Sequence, residues 1–256
     1  LRTRAECSEA IMRAVEDGRG STNGGAFLDM TKNMTAPKSG KYFMKYLKSA
    51  LPSAYNNARQ ALGKEAGKAE IPWEVRPSAH YSMGGIRVDE HTRVIHSTKN
   101  LYEPKIIKGL FAAGQAMGGL FGANRLGSTS LTELAVFGYR AGKSAAKHAN
   151  LSIKQNNYDV FHKHYLKFKN IFNKKGKLKA YKLKLDLQKK CWDNIGPART
   201  EKKLKKMVTF LNKIEKDLNN VNVPNEMIWN QQFIDFIELK NMIITAKAVT
   251  IASLKR

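Results

Sequence analysis

The stretch "RPSAHYSMGGIRV" (76–88) sets an imidazole and a phenol side by side, at His80 and Tyr81. Two glycines, Gly84 and Gly85, and a strand-like Ile-Arg-Val follow. A plain turn has no use for a histidine there. A site for a small anion does, because an imidazole offers a donor on a stiff ring. A second candidate is Arg125 in "LFGANRLGSTS" (120–130), which stands between Gly122 and Gly127. Its guanidinium is a planar fork that matches a carboxylate, and glycines nearby let backbone approach a ligand closely. Each residue also has a plainer reading: His80 as a structural histidine tying down a Gly84-Gly85 turn, Arg125 as a surface arginine on a loop.

The elements that must hold these side chains follow from pattern. "IIKGLFAAGQAMGG" (106–119) contains "GLFAAG" (109–114), expected as a buried strand that ends on a glycine. After the glycine loop, "LTELAVFGYRAGKSAAKHA" (131–149) reads as a helix. Ser128 or Ser130 is its expected N-cap, and Glu133, three residues after Ser130, would complete a capping box. Strand, glycine loop and helix N-terminus together suit a negatively charged or strongly polar ligand, because free backbone N–H groups face it. "GIRVDEHTRVIH" (85–96) predicts a β-hairpin.

Upstream, residues 1–70 read as helical with one strand. "RAECSEAIMRAVEDG" (4–18) predicts a helix stopped at Gly18 and Gly20, and "AFLDM" (26–30) a short strand. "GKYFMKYLKSA" (40–50) and "PSAYNNARQAL" (52–62) predict helices, the second opened by Pro52. Downstream, 151–256 reads as a helical bundle with helices over 155–174, 178–193, 200–218 and 227–254. In the third of these, Leu204, Met207, Leu211 and Ile214 recur at three- and four-residue steps after Thr200 as N-cap.

The 256 residues suffice for one large or two small domains with a real core. No apolar run approaches the ~18 residues of a membrane-spanning helix. "MIITAKAVTIASL" (242–254) is interrupted by Lys247 and reads as amphipathic. The net charge is +24, and residues 151–256 hold 23 Lys+Arg against 9 Asp+Glu. These are nearly all lysines at irregular spacing among apolar residues, the texture of a solvated helix surface, so no specific nucleic acid is expected as a partner. The two cysteines, Cys7 and Cys191, form no C-x-x-C pair. That argues against a disulfide framework and a thiolate metal site, and for a reducing compartment. No signal peptide is expected. The chain opens on Leu1 and reads as a fragment, a processed product or part of a split polypeptide.

"RPSAHYSMGGIRV", "GLFAAGQ", "GANRLGSTSLTELAVFG" and "WDNIGPARTEKKL" occur in that order. Together they resemble the C-terminal part of the flavoprotein subunit of succinate dehydrogenase and fumarate reductase. The resemblance runs from Arg4 to the end and implies an α+β fragment. Residues 1–75 would be the end of a capping domain, 76–150 the returning βα segment of an FAD-binding fold, and 151–256 a C-terminal helical bundle. It implies FAD as cofactor, with succinate and fumarate interconverted by hydride transfer. His80 and Arg125 are then the carboxylate-binding pair. This suits a C4 dicarboxylate, whose two anionic ends need cationic and hydrogen-bonding groups. Arg4, in "LRTRAECSEAI" (1–11), matches the family's proton-donating arginine, with Arg2 as the competing assignment and a helix N-terminal arginine as the plainer reading. Ala5 stands where the family has Asp, and Glu6 is the substitute partner. Gln115 stands where the family has a Glu near the ribityl chain; Ser128, Ser130 and Leu131 would sit by the isoalloxazine ring. Phe121 replaces a histidine and is assigned packing only.

The resemblance also implies partners: the N-terminal FAD-binding domain, in the same or a separate chain, an iron–sulfur subunit and membrane anchor subunits. It places the protein peripherally on the cytoplasmic face of the cell membrane or the matrix side of the mitochondrial inner membrane. Alone, the fragment is expected to be inactive. L-aspartate oxidase is the rival enzyme, although that relative usually has Cys at the position of Met83. A non-catalytic basic helical module is the rival of another class.

Overall fold

The structure, a computed structural model, describes residues 3–36, 40–96, 105–122, 124–151, 158–172, 174–226 and 228–256. Its contacts group into two units, residues 1–78 with 189–207, and residues 79–188 with 208–256.

The first unit opens with α1 (Arg4–Glu16), whose start is fixed by a capping box. Glu6 Oε2 accepts from the Thr3 backbone N–H at 2.7 Å and from its hydroxyl at 2.9 Å, while Thr3 Oγ1 accepts from Glu6 N at 3.3 Å. Two otherwise unpaired donors are thereby satisfied. Gly18, at φ +74°, ends the helix in the left-handed conformation that glycine adopts without a steric penalty. Strand β1 (Ala26–Leu28) then pairs antiparallel with β2 (Trp73–Val75), with Phe27 opposite Glu74. Between them lie α2 (Thr31–Thr35), α3 (Gly40–Ala50), α4 (Pro52–Leu62) and α5 (Lys64–Gly67). The boundaries of α3 and α4 are those the sequence predicts, with Pro52 at the first helical position. Their apolar faces close on Leu47, Ala58, Ala66 and Trp73, with Phe43, Tyr55 and Leu62 around them. The Trp73 indole N–H donates to the Ala66 carbonyl at 2.7 Å, so the ring is buried with its one polar atom satisfied.

The second unit begins with the hairpin expected at 85–96. Asp89 organises its turn, accepting from His91 N at 3.0 Å and Arg93 N at 2.9 Å. Strand β3 (Arg93–Ile95) pairs antiparallel with β4 (Ile106–Phe111), and Ile86 bridges in parallel to Met117. The buried strand expected at 109–114 differs from this. β4 starts earlier, at Ile106, and is exposed along most of its length; burial begins only at Ala112.

The helices of the second unit are α6 (Thr129–Leu151), α7 (Tyr158–Lys169) and α10 (Gln231–Leu254). The chain passes between units within α8 (Ala180–Ile195) and within α9 (Glu201–Asp217). The stripe expected on α9 is buried throughout: Leu204, Met207, Leu211 and Ile214 are 6, 0, 1 and 2 % exposed. Thr200 caps that helix, its hydroxyl accepting from Lys203 N at 3.3 Å. On α10, Phe236, Leu239, Ile243 and Ala246 form one buried stripe. Asp235 on the same face is paired with Lys184 at 3.0 Å, which offsets the cost of burying its carboxylate. That helix begins four residues later than its sequence pattern suggests, because the Asn230 side chain caps it, accepting from Phe233 N at 2.9 Å.

Candidate functional site

The site is assembled in the second unit by two segments that must come very close. Ile86 N donates to the Ala116 carbonyl at 2.8 Å, and Gly118 N donates to the Ile86 carbonyl at 3.0 Å. A Cβ on Gly85 would collide with the Ala116 carbonyl, and one on Gly118 with the Gly85 backbone. This corrects the sequence reading of Gly84-Gly85. Neither glycine has a positive φ, and the chain does not reverse at them. Gly85 is needed for close approach of two backbones, and that approach holds His80 and Tyr81 beside the loop that carries Arg125.

Arg125 is 8 % exposed, so it is not the surface arginine of the plainer reading. Its Nη1 donates to the Leu126 carbonyl at 3.2 Å and to Ser130 Oγ at 3.3 Å. Its Nη2 lies 3.0 Å from His80 Nε2. A guanidinium has no lone pair to offer, so in this contact the imidazole nitrogen is the acceptor. The guanidinium also lies over the Tyr81 ring, 4.9 Å from its centroid. Thus His80 and Arg125, 45 residues apart, are brought into direct contact. The result is a fixed cation with a ring beside it, a combination able to bind a carboxylate by charge and by directed hydrogen bonds.

Tyr81 and Glu133 complete the cluster. The phenol donates to Glu133 Oε2 at 2.6 Å. This bond pushes the phenol above its usual range; burial and the Glu133 charge act the same way, and Arg125 opposes them. Glu133 is 3 % exposed, and its Oε1 is buried with no hydrogen-bond partner among the described residues. The capping box expected between Ser130 and Glu133 is not formed. The helix already begins at Thr129, so Ser130 lies inside its first turn, and the Glu133 carboxylate is committed to Tyr81. Phe121 packs edge-on against Tyr81 at 6.0 Å, in keeping with the packing role expected of it.

The residues expected on the cofactor side lie in the same unit. Gln115 is exposed in a single 3₁₀ turn (Gly114–Ala116) that packs against α6 near Leu134. Ser128 is exposed and sits at φ +68°, immediately before α6. Ser130 accepts from Arg125, and Leu131 is 71 % exposed. At Gly119 and Gly122, with φ +107° and +57°, an added Cβ would meet nothing. Open glycine backbone, bare Leu126 and Leu131, and the start of a long helix suit a flat ring system with polar edges.

Arg4 is exposed on the first turn of α1, in the other unit, and Glu6 is engaged through Oε2 in the capping box. Arg2 lies outside the described residues. Sequence reasoning missed Tyr81 and Glu133 as site residues. The signal for Tyr81 was its adjacency to His80. For Glu133 it was a carboxylate within the mostly apolar run "LTELAVFG" (131–138), which read more simply as a cap.

Comparisons with known proteins identify the relatives of the chain. A family model described as FAD binding domain matches residues 1–131, and one described as fumarate reductase flavoprotein C-term matches 184–256. Over 256 residues the chain is 31% identical to a CoM/CoB fumarate reductase subunit of Methanothermobacter marburgensis, covering 100% of this chain and 42% of that protein. It is 34% identical over 185 residues to the 8-methylmenaquinol:fumarate reductase flavoprotein subunit of Wolinella succinogenes, covering 70% of this chain and 29% of that one. Among solved structures, the Mycobacterium smegmatis Sdh1 complex in the apo form is 31% identical, with a TM-score of 0.79 over 100% of this chain and 40% of that one. E. coli quinol fumarate reductase FrdA is 28% identical, also at 0.79, over 99% and 41%. The chain therefore spans about two fifths of the length of these full-length matches.

Proposed function

Because the chain belongs to the fumarate reductase and succinate dehydrogenase flavoprotein family, we propose that it is the C-terminal, substrate-binding part of such a subunit, interconverting succinate and fumarate. The observation that carries this reading is the contact between buried Arg125 and His80, at 3.0 Å. Arg125 holds one carboxylate of the substrate by charge and fork geometry, and the His80 ring fixes its orientation. FAD, when bound, supplies the two-electron chemistry. Gln115, Ser128, Ser130 and Leu131 line its place; the first-turn N–H groups of α6 favour partial negative charge at the ring edge. Arg4 donates a proton to the substrate carbon left electron-rich in fumarate reduction and takes it back in succinate oxidation. In domain terms, 1–75 ends a capping domain, 76–150 returns to the FAD-binding fold and 151–256 is the helical domain.

A guanidinium of pKa about 12.5–13.8 is a very poor acid in water. It serves here because the acceptor is a strongly basic carbon, and because the arginine stays charged until that carbon forms. Electrons must then leave the flavin. Cys7 and Cys191, one exposed and one half-buried, are free and cannot by themselves ligate a cluster. Burial pushes the Cys191 thiol up to about 11, which leaves it a poor ligand. An iron–sulfur subunit, the partner that the family resemblance implies, is the acceptor. No helix among the described residues is long and apolar enough to cross a membrane; peripheral attachment through anchor subunits fits that.

The test is purification of the native complex. A yellow, FAD-containing protein that interconverts succinate and fumarate and brings down a cysteine-rich partner is the expected result. A partnerless flavoprotein that oxidises aspartate and is reoxidised directly by oxygen would move the assignment to L-aspartate oxidase.

Gln115 offers a finer check. A neutral amide still hydrogen-bonds a polar chain, so Gln115→Glu is expected to keep flavin content near wild type while adding a charge beside the cofactor. The measurable change is a shifted flavin midpoint potential. Complete flavin loss would mean that Gln115 makes an essential contact.

A further inference from the structure

We propose that Tyr81 and Glu133 are positioning residues of the anion site, setting the plane of the Arg125 guanidinium through a buried carboxylate–phenol–cation stack. The inference deepens the dicarboxylate reading above and rests on it.

Three observations carry it. The Arg125 guanidinium carbon lies over the Tyr81 ring, 4.9 Å from its centroid, so the cation has an aromatic surface on one side. The phenol at the far edge of that ring donates to Glu133 at 2.6 Å, which stops the ring turning away. Glu133 is 3 % exposed, and its other oxygen is buried and unpartnered among the described residues. A carboxylate buried this way is expensive unless a positive charge lies close by. Arg125 is the cation that shares Tyr81 with it, meeting the ring while Glu133 meets the hydroxyl. A phenol donating to a carboxylate also gains electron density in its ring, and this strengthens attraction to the cation above it.

The consequence is directional. His80, the Leu126 carbonyl and Ser130 hold the guanidinium at its edges, at 3.0, 3.2 and 3.3 Å. Edge contacts alone permit tilting about the axis of the side chain. The ring beneath removes that freedom, and a fork presented in one plane binds a carboxylate at less entropic cost. Tyr81 and Glu133 need touch neither substrate nor flavin to do this.

The experiment uses the full-length flavoprotein in its native complex, with succinate as the probe. Tyr81→Phe keeps the ring and loses the phenol. It is expected to raise the succinate KM about tenfold, with kcat changing by no more than about twofold. Tyr81→Leu removes the ring as well and should add about threefold or more to KM. Glu133→Leu should match Tyr81→Phe, while Glu133→Gln, whose amide oxygen still accepts from the phenol, should recover most of the wild-type KM. FAD content and melting temperature are followed in every variant. A KM that stays at the wild-type value in both Tyr81 variants, with only the melting temperature lowered, makes the stack structural and overturns the proposal. So does a fall in kcat with KM unchanged. If the wild-type complex converts no succinate at all, the dicarboxylate reading fails first and takes this inference with it. That outcome is seen before any variant is assayed.

Discussion

Arg125→Gln in the full-length flavoprotein is expected to raise the succinate KM by two orders of magnitude or more while flavin content stays near wild type. The reason is local. Arg125 is 8 % exposed and donates toward His80, the Leu126 carbonyl and Ser130. Removing it deletes the positive charge that a carboxylate needs and leaves three acceptors without their donor. Truncating one partner of a buried charged pair costs about 2–5 kcal/mol, which is roughly 30- to 4,000-fold in affinity. Arg125→Lys keeps the charge and loses the fork, so it should fall between wild type and Gln. The check is steady-state kinetics beside flavin absorbance. A near-normal KM in Arg125→Gln would remove Arg125 from the substrate site.

Arg4→Lys should have the other large effect, on turnover. Positioned proton transfer contributes about 10²–10⁴-fold in rate, and losses of that order are expected while FAD and dicarboxylate binding survive. The Thr3–Glu6 capping box fixes the start of α1, so Arg4 leaves the backbone from a defined first turn. Lysine keeps the charge on a flexible stem with a single ammonium head, and so cannot reproduce the place or shape of the guanidinium. A transition-state role lowers kcat without a matching loss of ground-state affinity. Arg2→Lys is the control and should be nearly silent. Near-normal turnover in Arg4→Lys, or a lethal Arg2→Lys, would require the N-terminal match to be redrawn.

Local signals carried much of the architecture. Gly40 and Pro52 bracket α3 and α4 as read from sequence, and the Leu204, Met207, Leu211, Ile214 stripe is buried as its spacing demands. These features depend on neighbours within one or two turns, and that is where periodicity and capping act. Reading was poorer where a residue's partner is distant. Glu133 has the sequence environment of a cap, yet its partner is Tyr81, 52 residues away. "GLFAAG" has the composition of a buried strand, but burial depends on what covers a strand, which composition does not encode. The late start of α10 turned on one asparagine, Asn230, whose capping bond was not distinguished from the apolar run before it.

By itself, then, the sequence determined which residue types could bind a carboxylate, the glycines beside Arg125 that would let backbone approach a ligand, and the helices around them. It also supplied the ordered motifs whose resemblance pointed to a flavoprotein. Only the tertiary structure decided that His80 and Arg125 touch, that the arginine is buried, and that Tyr81 and Glu133 stand behind it. The physical reason is that side-chain chemistry and short-range backbone preference are local properties. A buried charge is instead stabilised by groups that converge from separate segments, and that convergence exists only after Gly85 has let the 116–118 backbone close against it.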